Sequence, residues 1–170
     1  MGLGNIMKFI IFILIMIHSF PCYGETGTNQ EQVVQEITQG LEEGKKHDWA
    51  SALKHFEKAT VLDPKSSWAW SNHGTAWLNL NEPKKAIKSY HQAVELNPTD
   101  PYNYCSLASA KFRLYKPKEA LAHANKALSV DPEFAPAMAN KARALRTLGK
   151  SEEADALLQK AYRLMPKLKD

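Results

Sequence analysis

The chain has 170 residues, of which 24% are charged and 44% apolar, and it carries a formal charge of +4. That balance is ordinary for a folded chain and excludes intrinsic disorder. The basic residues are interleaved with acidic ones and not gathered on one face, so the charge describes a solvated surface and gives no nucleic-acid partner.

The first residues differ in kind from the rest. Lys8 is the only charge ahead of Phe9 to Ile17, an unbroken apolar run of nine residues, where a membrane span needs roughly 20. A basic start, a short apolar run and small residues after it describe a signal peptide over residues 1–24. Cleavage after Gly24 places Cys22 and Gly24 at the two small-residue positions and exposes Glu25. The chain would then be secreted or periplasmic. Two alternatives give a membrane-tethered protein facing outside the cytoplasm: an uncleaved anchor over residues 6–20, or lipid on Cys22, which the adjacent Pro21 obstructs. Position 6 is Ile, so the serine or threonine of a myristoylation signal is missing. After cleavage Cys105 is the one cysteine left, and no internal disulfide can form.

Residues 25–32 read as a short leader or the frayed start of a helix. Four units of 34 residues follow, at 33–66, 67–100, 101–134 and 135–168, with 169–170 as a tail. Each closes on proline: Pro64, Pro98, Pro132 and Pro166, spaced 34 residues apart. A fixed period of this length is the mark of a helical repeat array. The eighth place of each unit is tiny (Gly40, Gly74, Ala108, Ala142). The twentieth is always alanine (Ala52, Ala86, Ala120, Ala154), and so is the twenty-seventh (Ala59, Ala93, Ala127, Ala161). Helices that cross closely need such residues at the contact. Bulk stands between them: Trp70, Tyr104 and Met138 at the fourth place, and Phe56, Tyr90 and Leu158 at the twenty-fourth. Small against large at helical spacing predicts a packed core that includes Trp70.

These residues resemble the tetratricopeptide repeat, whose pattern runs Trp, Leu-Gly, Tyr, then Ala, an aromatic, Ala and Pro. Unit two matches best, through Trp70, Gly74, Trp77, Ala86, Tyr90, Ala93 and Pro98. Departures are His73 at the seventh place and Glu43 and Lys111 at the eleventh. The resemblance implies an all-α fold, a right-handed superhelical solenoid of helix-turn-helix units. Local signals agree. Asp48 and Asp100 are placed to cap helices, Pro101 suits a first helical position, and Ser151 with Glu152 and Glu153 offers an acceptor and negative charge at the last helix.

Chemistry-bearing groups are sparse. The histidines show no paired metal-ligand spacing, so neither metal nor other cofactor is expected. Cys105 is the one candidate for a redox or hydrolytic enzyme, but no base is placed beside it. It reads more simply as a small semi-buried thiol. Gly40, Gly44 and Gly74 lie inside helical patterns and do not form a phosphate loop.

The resemblance also implies a concave groove lined by the first helix of each unit. The candidates there are Trp68, Asn72 and Thr75 in unit two, Tyr102, Ser109 and Arg113 in unit three, and Asn140, Arg143 and Arg146 in unit four. Unit one contributes the more apolar Val34, Ile37, Thr38 and Leu41. Residues two apart on a helix face different directions, so Trp68 and Tyr102 are expected in the groove and Trp70 and Tyr104 in the core. Three arginines make the C-terminal half basic and favour an acidic ligand. Family members that grip the acidic C-terminus of cytosolic chaperones use five positions occupied here by Ile37, Leu41, Asn72, Tyr102 and Ser106. Only Asn72 matches.

After Pro166 too few residues remain for a capping helix. Leu157, Leu158, Tyr162, Leu164 and Met165 would then leave an apolar edge for a partner or a second copy. The expectation is a non-catalytic interaction scaffold for a protein or peptide, exported and assisting assembly of an envelope or secretory complex.

Overall fold

A computed structural model describes residues 25–168. The expected signal peptide, the lipid site at Cys22 and the 169–170 tail lie outside those residues. Eight helices run in chain order: α1 (Glu25–Lys45), α2 (Trp49–Leu62), α3 (Ser67–Asn79), α4 (Pro83–Leu96), α5 (Pro101–Arg113), α6 (Pro117–Val130), α7 (Ala135–Thr147) and α8 (Ser151–Leu164). They pack as four antiparallel pairs, each stacked on the next, with no strand among the described residues. The all-helical solenoid is as expected. None of the described helices is long and apolar enough to cross a membrane.

The period of the sequence is the period of the helices. Helices α3, α5 and α7 begin 34 residues apart, as do α2, α4, α6 and α8. Each second helix stops two residues before a bounding proline, which could not continue it. Asp48 and Asp100 cap as expected: their carboxylates accept from the backbone N–H of Ser51 at 3.0 Å and of Tyr102 at 2.9 Å. Of the two readings of residues 25–32, a leader or the start of a helix, the structure has the second: they form the first turns of α1, where Glu-Thr-Gly-Thr-Asn-Gln-Glu-Gln holds no residue that must end a helix. One expectation fails at a helix end. Ser151 is already helical and its hydroxyl caps nothing, since the cap position falls on Lys150.

The repeated alanines are fully buried in every unit. The eighth place has a sharper reason than close backbones. A Cβ on Gly40 would lie 2.5 Å from the Phe56 ring, and one on Gly74 would lie 2.7 Å from the Tyr90 ring. The glycines therefore make room for the aromatic of the partner helix. Units three and four carry Ala108 and Ala142 opposite the smaller Ala124 and Leu158. Bulk at one place sets the size allowed at the other.

Trp70 departs from its expected core position. It is half-buried on the outer side of the solenoid, with its indole N–H donating to the Pro64 carbonyl at 3.0 Å, whereas Tyr104 and Met138 at the same place are buried. Ala69 takes the fully buried position in unit two. Conversely Ile37, expected in the groove, is fully buried against α2.

The turn inside each unit is the same motif four times. His47, Asn81, Tyr115 and Gly149, all at the fifteenth place, adopt positive φ between 57° and 82°. The next residue donates back to the carbonyl five residues earlier, as in Lys116 to Lys111 at 3.1 Å. This is the left-handed helix stop that glycine fits without strain.

Residues that depart from the repeat pattern are absorbed by polar contacts. Lys111, largely buried, pairs with Glu119 at 2.7 Å, which also holds Lys116 at 2.9 Å. The flanking lysines bring the Glu119 carboxyl down to about 2. At the far end, Pro166–Leu168 form a single 3-10 turn that folds Leu168 onto Ala135, Met138 and Ala161. The end is thus less open than the sequence suggested, although Leu164 stays exposed.

Candidate functional site

Residues of the first helices bound two cavities. One, of about 530 Å³, is bounded by Trp68, Ser71, Asn72 and Thr75 on α3, by Asn97 and Asp100 in the turn, and by Tyr102 and Ser106 on α5. A second, of about 410 Å³, lies further along, bounded by Asn140, Arg143, Arg146 and Thr147 on α7. The 34-residue repeat puts the first-helix residues among these at comparable places of successive units.

The two aromatics expected here are exposed, Trp68 by 48% and Tyr102 by 58%. Tyr102 stands edge-on to Phe134, with centroids 4.6 Å apart. Other candidates are already engaged by the fold. Asn72 donates to the Trp68 carbonyl at 2.8 Å. Thr75 donates to the Ser71 carbonyl at 3.0 Å and meets the Tyr90 hydroxyl at 3.2 Å, so it bridges the groove to the core. Burial raises the Tyr90 phenol to about 12, which keeps that hydroxyl a neutral partner.

The C-terminal wall is organised around Asn140. Its side-chain nitrogen lies 3.0 Å from the Cys105 carbonyl, 3.1 Å from Cys105 Sγ and 2.9 Å from Ser109 Oγ, all on α5. Its oxygen accepts from Arg143 at 2.8 Å. Arg143 in turn lies over the Phe112 ring, 4.2 Å from its centroid, a geometry in which the ring face attracts the cation. The expected trio of free arginines becomes two, because Arg146 is bound to Asp155 on α8. Arg113 is exposed. The bracing by Phe112 was invisible in the sequence, because contact across units depends on the stacking geometry.

Cys105 is buried and its thiol is pushed up to about 11 by that burial. A thiol so placed is protonated near neutral pH, and its side-chain neighbour is an amide and not a base. The arrangement supplies no activation for a nucleophile. Among the described residues no group of three or more histidines, cysteines or carboxylates is placed to hold a metal ion.

The outer side of unit two carries a separate aromatic cleft that sequence reasoning missed. Trp70, His73 and Trp77 form its floor, with Lys85, Lys88 and His91 at its rim. His73 accepts from the Trp77 indole at 3.1 Å through Nε2, which leaves Nδ1–H to face Ser89 Oγ at 2.9 Å. The i, i+3, i+7 spacing of the three rings is the available signal, but on the repeat pattern only Trp70 reads as core, and His73 reads as a departure from the repeat.

Comparison with known proteins agrees with this architecture. Two family profiles, each described as the tetratricopeptide repeat, match residues 67–100 and 105–168. No curated protein sequence matches significantly. Among solved structures, a crystal structure of MamA is 24% identical, with 79% of each chain covered and a TM-score of 0.69. A thermophilic repeat protein of Thermus thermophilus, TTC0263, is 22% identical, covering 79% of this chain and 75% of that one, at a TM-score of 0.75. The first repeat domain of Spaghetti (RPAP3), solved with the HSP90 peptide SRMEEVD, is 21% identical over 70% of this chain and 94% of its own, at a TM-score of 0.66. At these identities the likeness is one of fold.

Proposed function

This chain belongs to the tetratricopeptide-repeat family, and we propose from that premise that it is a non-catalytic scaffold that captures a peptide or helical segment of a partner protein in its concave groove. The exposure of Trp68 and Tyr102 on the groove face carries this reading. Fold stability does not require two large aromatics in water, and rigid aromatics of this kind anchor protein partners. The peptide bound to the RPAP3 domain supports a peptide as the type of occupant. The specific chaperone mode of grip is disfavoured here, because Ile37 is buried and Leu41, Tyr102 and Ser106 stand where that mode needs other residues. Affinity capture from native-host extract with Trp68→Ala and Tyr102→Ala as parallel baits tests the groove. Partners lost by both variants, with helicity intact, support it. Partners retained by both place binding elsewhere.

We further propose that the protein works outside the cytoplasm, in assembly of an envelope or secretory complex. The short apolar run Phe9 to Ile17 supports this. Mass spectrometry of the native protein tests it: a chain beginning at Glu25 supports export with cleavage, and an intact N-terminus favours the tethered alternative. Self-association through α8 is the remaining part of the reading, supported by exposed Leu164 beside half-buried Leu157 and Leu158. Light scattering that finds a strict monomer at high concentration would remove it.

A further inference from the structure

The outer cleft of unit two has two walls of different chemistry. Trp70, His73 and Trp77 form one on α3, and Lys85, Lys88 and His91, three residues apart, stand along one side of α4 as the other. They enclose about 620 Å³, within the roughly 300–1,000 Å³ usual for small-molecule sites. No other unit combines such walls. In place of the three rings, unit one has Glu36, Gln39 and Glu43, unit three has Tyr104, Leu107 and Lys111, and unit four has Met138, Lys141 and Leu145. In place of Lys85, Lys88 and His91, units three and four have Glu119, Ala122 and Asn125, and Glu153, Ala156 and Gln159. Three helix pairs fold without this combination, so the repeat does not require it.

The aromatic wall is satisfied internally. Trp70 donates to the Pro64 carbonyl at 3.0 Å, Trp77 to His73 Nε2 at 3.1 Å, and His73 Nδ1–H to Ser89 Oγ at 2.9 Å, while Ser89 donates to the Lys85 carbonyl at 3.4 Å. That wall therefore offers fixed ring surface and no unspent donor, and its rigidity lowers the ordering cost of binding. The charge stands opposite. No described carboxylate lies within 4.0 Å of Lys88. Lys85 lies over the Trp77 ring, 4.2 Å from its centroid. Its contact with Glu82, 3.9 Å between half-exposed side chains, is of the weak surface kind. Glu57 approaches His73 at 4.0 Å from α2 but does not line the cleft. Positive charge thus faces ring surface, and no lining residue is acidic.

We propose that this cleft binds a small planar aromatic carboxylate, its rings packed on Trp70 and Trp77 and its carboxylate held by Lys88 and Lys85. Aromatic rings gain from stacked or edge-on contact beyond the area they bury, and a carboxylate gains from charge-assisted donors. A sugar fits less well, because the aromatic wall has no donor left for its hydroxyls. A quaternary cation fits less well, because the lysines repel it. The site lies on the outer side of the solenoid, and it stands or falls independently of the concave groove.

The test follows the indole N–H signals of the four tryptophans, Trp49, Trp68, Trp70 and Trp77, by NMR of the isotope-labelled full chain as 2-naphthoate is added. The Trp70 and Trp77 signals should move together, with half-saturation at or below ~1 mM, while those of Trp49 and Trp68 stay. The neutral 2-naphthamide and the non-aromatic cyclohexanecarboxylate should each bind at least about tenfold more weakly. Lys88→Gln should remove most of the preference for naphthoate over naphthamide, and Lys88→Arg should keep it. Lys126→Gln, which alters a lysine beside Tyr104 on the next unit, should have little effect. Trp77→Leu with helicity intact should weaken both naphthyl probes. If that variant unfolds, Lys88→Gln still decides, because Lys88 is exposed and outside the core. Unmoved Trp70 and Trp77 signals at ~1 mM, equal binding of naphthoate and naphthamide, or tighter binding of phenyltrimethylammonium would each overturn the site. So would equal movement of all four signals, which marks unspecific contact, or movement of Trp68 alone, which places the ligand in the groove.

Discussion

Gly74 on α3 lies so close to Tyr90 on α4 that a single added methyl would sit 2.7 Å from the ring. The ring is nearly fully buried and cannot step aside. Gly74→Ala should gain about 1 kcal/mol of helix propensity and lose more through overpacking, for a net destabilisation of about 1–2 kcal/mol. Tyr90→Ala alone should cost about 3–5 kcal/mol as a cavity. The double variant should recover part of the sum, because it reproduces the Ala108 and Ala124 pairing of unit three. Urea denaturation of the four proteins gives the coupling directly. Strict additivity would show that the two residues do not share one space.

The turn inside unit three stores strain that the other units partly avoid. Tyr115 holds φ at 57° and is 95% exposed, so its ring contributes no packing in return. Glycine occupies the same place at Gly149 with φ 82°. Tyr115→Gly should therefore stabilise the fold by about 1 kcal/mol, the steric cost of a left-handed side chain, offset slightly by the greater freedom of glycine in the unfolded chain. Chemical denaturation measures it. A loss of stability would mean that Tyr115 makes contacts its exposure does not suggest.

The outer cleft revises what Trp70 does. With its ring half-buried and its N–H spent on the Pro64 carbonyl, Trp70 ties α3 to the turn before it and does not fill the core. Trp70→Phe keeps the ring and deletes the donor, and it should cost about 1 kcal/mol, near the net worth of one hydrogen bond. Trp70→Ala should cost more, yet less than Tyr90→Ala measured by the same denaturation. The opposite ranking would return Trp70 to the core.

The solenoid could be read from sequence because its information is local and repeated. Prolines, alanines and small eighth places recur at one spacing, and every copy restates the same packing requirement. The groove could be read in outline for the same reason, and Trp68 and Tyr102 are where the spacing puts them. Three kinds of feature escaped. Ile37 and Trp70 exchanged their expected environments because a helical wheel does not show how deeply each neighbouring unit covers a given stripe. The left-handed turns were hidden by His47, Asn81 and Tyr115, since only unit four marks that place with glycine. Asn140 was legible as a groove residue, but its hold on Cys105 and Arg143 joins residues 31 or more apart on one side and three on the other. No local pattern encodes such a bridge.

His73 makes the outer cleft a source of acid sensitivity. Its environment is set by Trp70 and Trp77, edge-on at 5.7 and 6.1 Å between centroids, and by Ser89 and Glu57. Burial lowers its pKa from 6.5. The Glu57 carboxylate, 4.0 Å away and half exposed, is too well solvated to reverse that. The unfolded chain thus binds a proton more readily than the folded one, so stability rises with pH in this window. His73 contributes fully above about pH 6.5, and the contribution is lost as pH falls from there toward the lower folded pKa. Protonation of Nε2 would also remove the acceptor for the Trp77 indole N–H. Urea midpoints at pH 7.5 and 5.5, about a unit either side of the ordinary histidine pKa, should therefore differ, and tryptophan emission should change over the same range. In His73→Gln, where an amide can still accept from Trp77 but does not titrate, both differences should shrink. A His73→Gln profile parallel to that of the unaltered chain would assign the acid sensitivity to another group.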